Sequence, residues 1–180
     1  MKIIDYPLRL LIVCVIAAGL LAFVYESTSK TIEINNEKEK ISKVKMVLPK
    51  DVDEIKEFKA ENPYYKGIKS GKVVGYAIVS SSKGYGGDIN ILVGIDTNRK
   101  ITKIEILSHK ETPGLGAKIE DKNFLAQFFG KTKVESVLKK DDSLNGQIDA
   151  IAAATISSRA FTKAVQKAFK IYDEAAKNDK

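Results

Sequence analysis

The residues best suited to chemistry fall in three short stretches: Ser82-Lys83-Gly84-Tyr85-Gly86-Gly87, then His109-Lys110-Glu111-Thr112-Pro113-Gly114-Leu115-Gly116, then the run from Asp149 to Arg159. Taken singly, each has a plain structural explanation. Gly84, Gly86 and Gly87 can supply positive-φ backbone at a tight turn. Strand-type residues follow them rather than a helix, so they do not form a Rossmann phosphate loop. Pro113-Gly114 is a type II turn dipeptide, and Gly116 can relieve a second bend. His109, between charged neighbours, reads as a surface residue. Thr155, Ser157 and Ser158 are candidate N-cap hydroxyls for a final helix.

Composition narrows what these stretches can do. The chain has 180 residues, 44% hydrophobic and 29% charged, with one histidine and one cysteine. A lone Cys14 allows no intrachain disulfide and no thiolate metal cluster, and a lone His109 allows no multi-histidine metal site. No catalytic or metal-ligating set is assigned, so redox or transfer chemistry requires a bound cofactor. The net charge of +7 comes from 30 Lys+Arg scattered among 23 Asp+Glu. Without an Arg-rich run or basic–aromatic interleaving this describes a solvated surface, not a nucleic-acid site.

In combination the motifs carry more. His109 to Gly116 closely resembles the H-x-E-T-P-G-L-G loop of a family of FMN-binding domains, and Asp149 to Thr155 resembles that family's flavin-attachment sequence, D-x-x-[ST]-G-A-[TS]. Such domains occur in the G subunit of Rnf-type ion-translocating ferredoxin:NAD oxidoreductases and in the C subunit of sodium-pumping NADH:quinone oxidoreductases. The resemblance covers nearly the whole chain, including the Gly-Tyr-Gly-Gly loop and the order of the motifs. It implies FMN held covalently through a phosphoester to Thr155, placed there from FAD by a separate flavin transferase. Asp149, Ala154 and Thr155 match the attachment pattern, whereas Ala152 stands where Ser or Thr is usual and Ala153 where Gly is usual. Alanine keeps this segment small enough for a modifying enzyme to reach the hydroxyl, but it restricts the backbone where glycine would not.

The resemblance also distributes roles. Thr155 is the attachment point, with Ala154 and Ile156 beside it. The backbone N–H groups of Ser157 and Ser158 are expected to face the phosphate at the start of a helix whose dipole favours the negative charge. Arg159 is expected to add a charged donor. Glu111, Thr112, Gly114, Leu115 and Gly116 are expected against the isoalloxazine ring. There Thr112 and backbone amides would bond its polar edge and Leu115 would cover an apolar face, so tuning the flavin potential. Gly84 and Tyr85 are assigned to the same site.

Behind these loops lie the elements that must position them. Leu10 to Tyr25 carries no charge and as a helix covers roughly 24 Å, with Arg9 able to snorkel and lengthen the span. An uncleaved anchor is the expectation; a cleaved signal peptide is the alternative, although no A-x-A-like site follows Ala22. Lys2 and Arg9 before the span, against Glu26 and Lys30 after it, place the N-terminus in the cytoplasm and the rest outside. The division expected is 1–26 for the cytoplasmic N-terminus and transmembrane anchor, 27–50 for a helical stalk closed by Pro49, and 51–180 for an extracytoplasmic FMN-binding domain.

Within that domain, Asp51 to Lys66 reads as charged and irregular, with Asn62-Pro63 as a turn. Lys72–Ser80, Ile89–Ile95 and Ile101–Leu107 read as strands, the last two joined by a hairpin at Asp96-Thr97-Asn98-Arg99. A short helix is expected from about Lys122 to Phe129, with Phe124, Leu125, Phe128 and Phe129 on one apolar face and Gly130 at its end. Thr132 to Gln147 is polar and left unassigned, and an amphipathic helix runs from Ser157 to about Lys177. The fold class is α+β: a single N-terminal transmembrane helix, then helices packed on an antiparallel sheet.

Three functions follow. The first is an electron-transfer subunit with covalent FMN in a membrane-bound Rnf-type complex, with the other membrane subunits and a flavin transferase as partners; the chain's length favours this over the quinone-reductase counterpart. Alone, such a chain completes no turnover. The second is a membrane-anchored sensor or binding module that keeps the fold without covalent flavin, and the third is a stand-alone flavoprotein.

Overall fold

The computed structural model describes residues 2–49, 52–58 and 63–177, with no side-chain description for 2–6 and 30–37. Asn62 of the expected Asn62-Pro63 turn, the Lys2 and Lys30 side chains of the orientation argument, and Ile34 of the stalk lie outside the described residues. The chain divides into two units, 1–41 and 42–180. Helix α1 is assigned over Lys2–Val47. In the first unit its segment Pro7–Ser29, 23 residues, is long and apolar enough to cross a membrane. At 1.5 Å per residue it covers about 34 Å against a hydrocarbon core of about 30 Å. The helix therefore overruns the uncharged stretch at both ends. The Ser27 and Thr28 hydroxyls donate back to the Phe23 and Val24 carbonyls at 2.8 and 2.7 Å, which satisfies polar side chains near the end of the apolar run.

The second unit is built on a five-stranded sheet in the order β1-β2-β3-β4-β5, antiparallel throughout. Its strands are β1 Glu54–Phe58, β2 Tyr64–Lys69, β3 Lys72–Lys83, β4 Asp88–Asp96 and β5 Ile101–Ser108. The last three match the strands read from the sequence, each slightly longer. The first two correct it, because Asp51 to Lys66 is not irregular: it contains β1 and the start of β2. β1 is an edge strand that buries little, and its charges suit an exposed edge. Ser70 and Gly71, both at positive φ, make the two-residue turn between β2 and β3, the geometry of the tight hairpins whose twist matches the strands.

Both faces of the sheet are covered, which explains why both rows of β4 are apolar. Ile91, Val93 and Ile95 face a core shared with helix α3, Thr155–Lys177, through Phe161, Val165, Phe169 and Tyr172. Leu92 and Ala77 face a second cluster with Val44, Val47 and Leu48 from the last turn of α1 and beyond. Gly94 permits that second layer, since a Cβ there would collide with the Val47 carbonyl oxygen. The Thr102 hydroxyl bonds the same carbonyl. On the α3 face, the buried Ser80 hydroxyl donates to the Ala164 carbonyl at 2.8 Å.

Between β5 and α3 the chain is mostly turns. A short 3-10 helix, Gly116–Glu120, leads into helix α2, Lys122–Ala126, shorter than expected. Phe124 and Phe128 pack edge-on or tilted against Phe161, but Phe129 is 72% exposed and does not share their face. The change of direction comes from the turns after Ala126, closed by Gly130 at φ +71° and by Gly130 N–H donating to the Ile101 carbonyl at 2.8 Å. The polar stretch from Thr132 to Gln147 is anchored by fully buried Leu138 within it and Ile148 just after it, joined through a parallel bridge.

Candidate functional site

The three motif stretches meet around the carboxylate of Glu111, which is 5% exposed. One oxygen accepts the Gly86 N–H at 3.0 Å, and the other accepts the hydroxyl of Ser157. A Cβ on Gly84 or Gly116 would run into these same carboxylate oxygens. Small residues in the β3–β4 turn and in the loop after β5 thus leave room for a buried carboxyl group to tie both loops to α3. The Glu111 N–H donates to His109 Nδ1 at 3.1 Å, and His109 Nε2 pairs with Glu120 at 2.9 Å. His109 therefore positions Glu111 from behind. Next in the chain, the Thr112 carbonyl accepts the N–H groups of Leu115 and Ala117 at 3.2 and 3.1 Å, with Gly114 at φ +76°. This makes the Thr112–Gly116 segment a compact turn.

The start of α3 supplies the other wall. Ala154 occupies the capping position and offers no side-chain oxygen. Its carbonyl accepts the N–H and the hydroxyl of Ser158 at 3.0 and 2.9 Å, and Ser158 Oγ in turn accepts the Ile151 N–H at 3.0 Å. The N–H groups of Thr155, Ile156 and Ser157 precede the first intrahelical bond and form the open end of the helix. Ala153 turns the chain into this start at φ +61°. Neither Ser157 nor Ser158 caps the helix: Ser157 bonds Glu111 and Ser158 bonds the turn before it. The Ser158 N–H is committed to Ala154, which leaves Ser157 as the inner of the two backbone donors expected there.

Between the two walls lies a cleft of about 410 Å³ lined by Tyr85, by Glu111, Thr112, Leu115 and Gly116, and by residues 153–157. That volume lies in the range typical of small-molecule sites, about 300–1,000 Å³. Tyr85, Leu115 and Ile156 hold large apolar surface open around it, at 73%, 47% and 54% exposure. Of the residues expected here, Gly84 and Gly114 shape the turns without lining the cleft. Asp149 is exposed outside it and paired with Lys139 at 2.7 Å. Arg159 makes two bonds to Asp141, at 2.8 and 2.7 Å, so its guanidinium is already engaged. That bidentate contact holds the Asp141 carboxyl below its ordinary pKa, chiefly by hydrogen bonding.

One residue was missed altogether. Lys140, in the unassigned polar stretch, donates from Nζ to the Thr155 Oγ1 at 2.7 Å. The run Lys139-Lys140-Asp141-Asp142 carries no spacing that separates it from ordinary surface charge, so only the fold singles it out.

An open helix end, a hydroxyl and an ammonium at one side of a cleft, with exposed apolar side chains at the other, fit a ligand with a phosphate and a flat ring system such as FMN. The model of the FMN-binding domain matches residues 84–170, from the Gly-rich turn through most of α3. The G subunit of the proton-translocating ferredoxin:NAD(+) oxidoreductase complex of Clostridium ljungdahlii is 35% identical over 165 residues, covering 89% of this chain and 86% of that relative.

The chain belongs to the FMN-binding domain family.

A second relative in this family, the G subunit of the ion-translocating oxidoreductase complex of Methanosarcina acetivorans, is 35% identical over 177 residues, covering 93% of each chain. The crystal structure of the C subunit of the sodium-translocating NADH-quinone reductase of Parabacteroides distasonis is 26% identical, with a TM-score of 0.49 over 59% of this chain and 58% of that one. In this FMN-binding domain the matched segment contains every residue that lines the cleft.

Proposed function

We propose that this chain is the FMN-carrying electron-transfer subunit, of the G type, of a membrane-bound ion-translocating ferredoxin:NAD oxidoreductase complex, with FMN joined by a phosphoester to Thr155. The observation that carries this reading is the Thr155 hydroxyl, which sits at the open end of α3 on the wall of the cleft that Tyr85, Leu115 and Ile156 surround. Bound FMN supplies one- and two-electron redox chemistry. In the attachment step Thr155 Oγ1 forms the bond to phosphorus, the pyrophosphate bond of FAD breaks, AMP leaves, and the hydroxyl proton passes to a base of the flavin transferase. The base that takes the hydroxyl proton belongs to the transferase rather than to this chain.

The chain's own residues bind and orient. The N–H groups of Thr155, Ile156 and Ser157 face the phosphate, where the helix dipole adds to their attraction. Glu111 fixes the Gly86 turn and Ser157 in register, so both walls of the cleft hold their spacing. Leu115 and Thr112, on the cleft wall, would lie against the ring. The apolar helix anchors the domain in the membrane beside its partner subunits, and Arg9 before the span supports a cytoplasmic N-terminus with the FMN domain outside.

The test is co-expression with a flavin transferase followed by a denaturing gel. Flavin fluorescence retained by the wild-type band and lost in Thr155→Val supports the reading; a colourless wild-type band refutes it and favours a binding module without covalent flavin.

A further inference from the structure

The turn that follows buried Leu138 is tied by two ion pairs, one to the segment before α3 and one to α3 itself. Lys139 meets Asp149 on one side, and Asp141 meets Arg159 on the other. Lys140, between them, sends its ammonium to the Thr155 hydroxyl at 2.7 Å. Among the described residues, no carboxylate lies within ion-pair distance of it, although its charge helps to hold the neighbouring Asp141 carboxyl below its ordinary pKa. An ammonium bonded to a neutral hydroxyl holds a weaker partner than it would in a charged acceptor. Arg159, the first cation along α3, is already occupied by Asp141.

We infer that Lys140 is the positioning residue for the phosphoester at Thr155: its ammonium pairs with the charged non-bridging oxygens once the ester has formed. This rests on the attachment to Thr155 proposed above. Two features of the geometry support it. Oγ1 is itself the bridging oxygen of that ester, so the charged oxygens form within a bond or two of an atom the ammonium already touches. A phosphodiester carries one negative charge at neutral pH, which a single lysine balances. In the unmodified protein Lys140 donates to Oγ1, which leaves the hydroxyl proton free to be given up. From that position the same ammonium would offset the negative charge of a phosphoryl group arriving at Oγ1. Lys140 touches the acceptor oxygen without transferring a proton itself, and its effect is to hold and neutralise.

The experiment follows flavin incorporation over time in full-length protein supplied with FAD and a flavin transferase. It reads intact mass for wild type, Lys140→Met and Lys140→Arg, and then the phosphorus NMR resonance of each modified product. Lys140 is exposed, so circular dichroism is expected to be the same for all three. The expected result is an incorporation rate about tenfold lower in Lys140→Met, equivalent to about 1.4 kcal/mol. Lys140→Arg restores most of the rate, and the phosphorus resonance moves in the methionine variant alone. Incorporation into Lys140→Met at the wild-type rate with an unmoved resonance overturns the inference, as does a loss that arginine leaves unrestored. Both differ from failure of the underlying reading, in which the wild type itself takes up no flavin.

Discussion

Ala153 stands at φ +61°, where a β-carbon crowds the following carbonyl, and the attachment pattern it resembles has glycine at this place. The left-handed conformation costs a residue with a side chain roughly 1–2 kcal/mol. Replacing it with glycine removes that cost but adds the entropy of a freer unfolded chain, roughly 0.5–1 kcal/mol. The net for Ala153→Gly lies between about 0 and 1.5 kcal/mol of stabilisation, centred near 0.75 kcal/mol. For a folding unit of this size the central value corresponds to a rise in Tm of about 2–4 °C. Ala152, next to it and not at positive φ, provides the control: Ala152→Gly gains no relief and lowers Tm by a similar or smaller amount. The assay is thermal denaturation of the detergent-solubilised full-length chain by calorimetry, with both variants scanned under one set of conditions. Opposite signs for the two neighbouring substitutions support the reasoning. A lowered Tm in Ala153→Gly refutes it.

Other perturbations probe the frame of the cleft. Glu111→Ala strands the Gly86 N–H and the Ser157 hydroxyl in a buried site and is expected to cost about 2–4 kcal/mol in denaturant unfolding. Arg159 holds the Asp141 carboxyl below its usual value, and Thr132, through backbone and side-chain hydrogen bonds, does the same for Glu135. A depressed folded pKa gives stability that is present above the unfolded value, near pH 4, and is lost as pH falls through the folded value. The Tm difference between wild type and Asp141→Asn should therefore be largest near neutral pH and shrink below about pH 4. Thr112→Val and Leu115→Ala should each shift the midpoint potential of the bound flavin in spectroelectrochemical titration; an unchanged potential in both removes these residues from the ring.

How far the sequence reached depended on how local the signal was. β3, β4 and β5 were legible because apolar residues fill the rows that both cores need. β1 was not, because Glu54-Ile55-Lys56-Glu57-Phe58 is an edge that buries little and looks like a charged linker. The Ser70-Gly71 turn was present in the sequence, but the strand before it was hidden by its lysines. Phe129 was placed on the wrong side because the helix was extended through turns that redirect it. In the site, motif resemblance pointed to Thr155, Leu115 and Gly116, which line the cleft, but equally to Gly84 and Gly114, which do not. That Glu111 joins Gly86 to Ser157 was not, since the contact spans three segments distant in the chain. Lys140 was invisible among 30 Lys+Arg, because a charged turn gains meaning only when the fold shows what it touches.

The central claim is that Thr155 is the atom-level point of flavin attachment. The direct measurement is peptide mass spectrometry on protein matured with a flavin transferase and FAD, beside Thr155→Val. The account predicts a single adduct, FMN less one water, on the peptide containing Thr155 and fragmenting at that residue, with no adduct in the variant. An unmodified peptide, or an adduct on Ser157 or Ser158 that survives Thr155→Val, contradicts it.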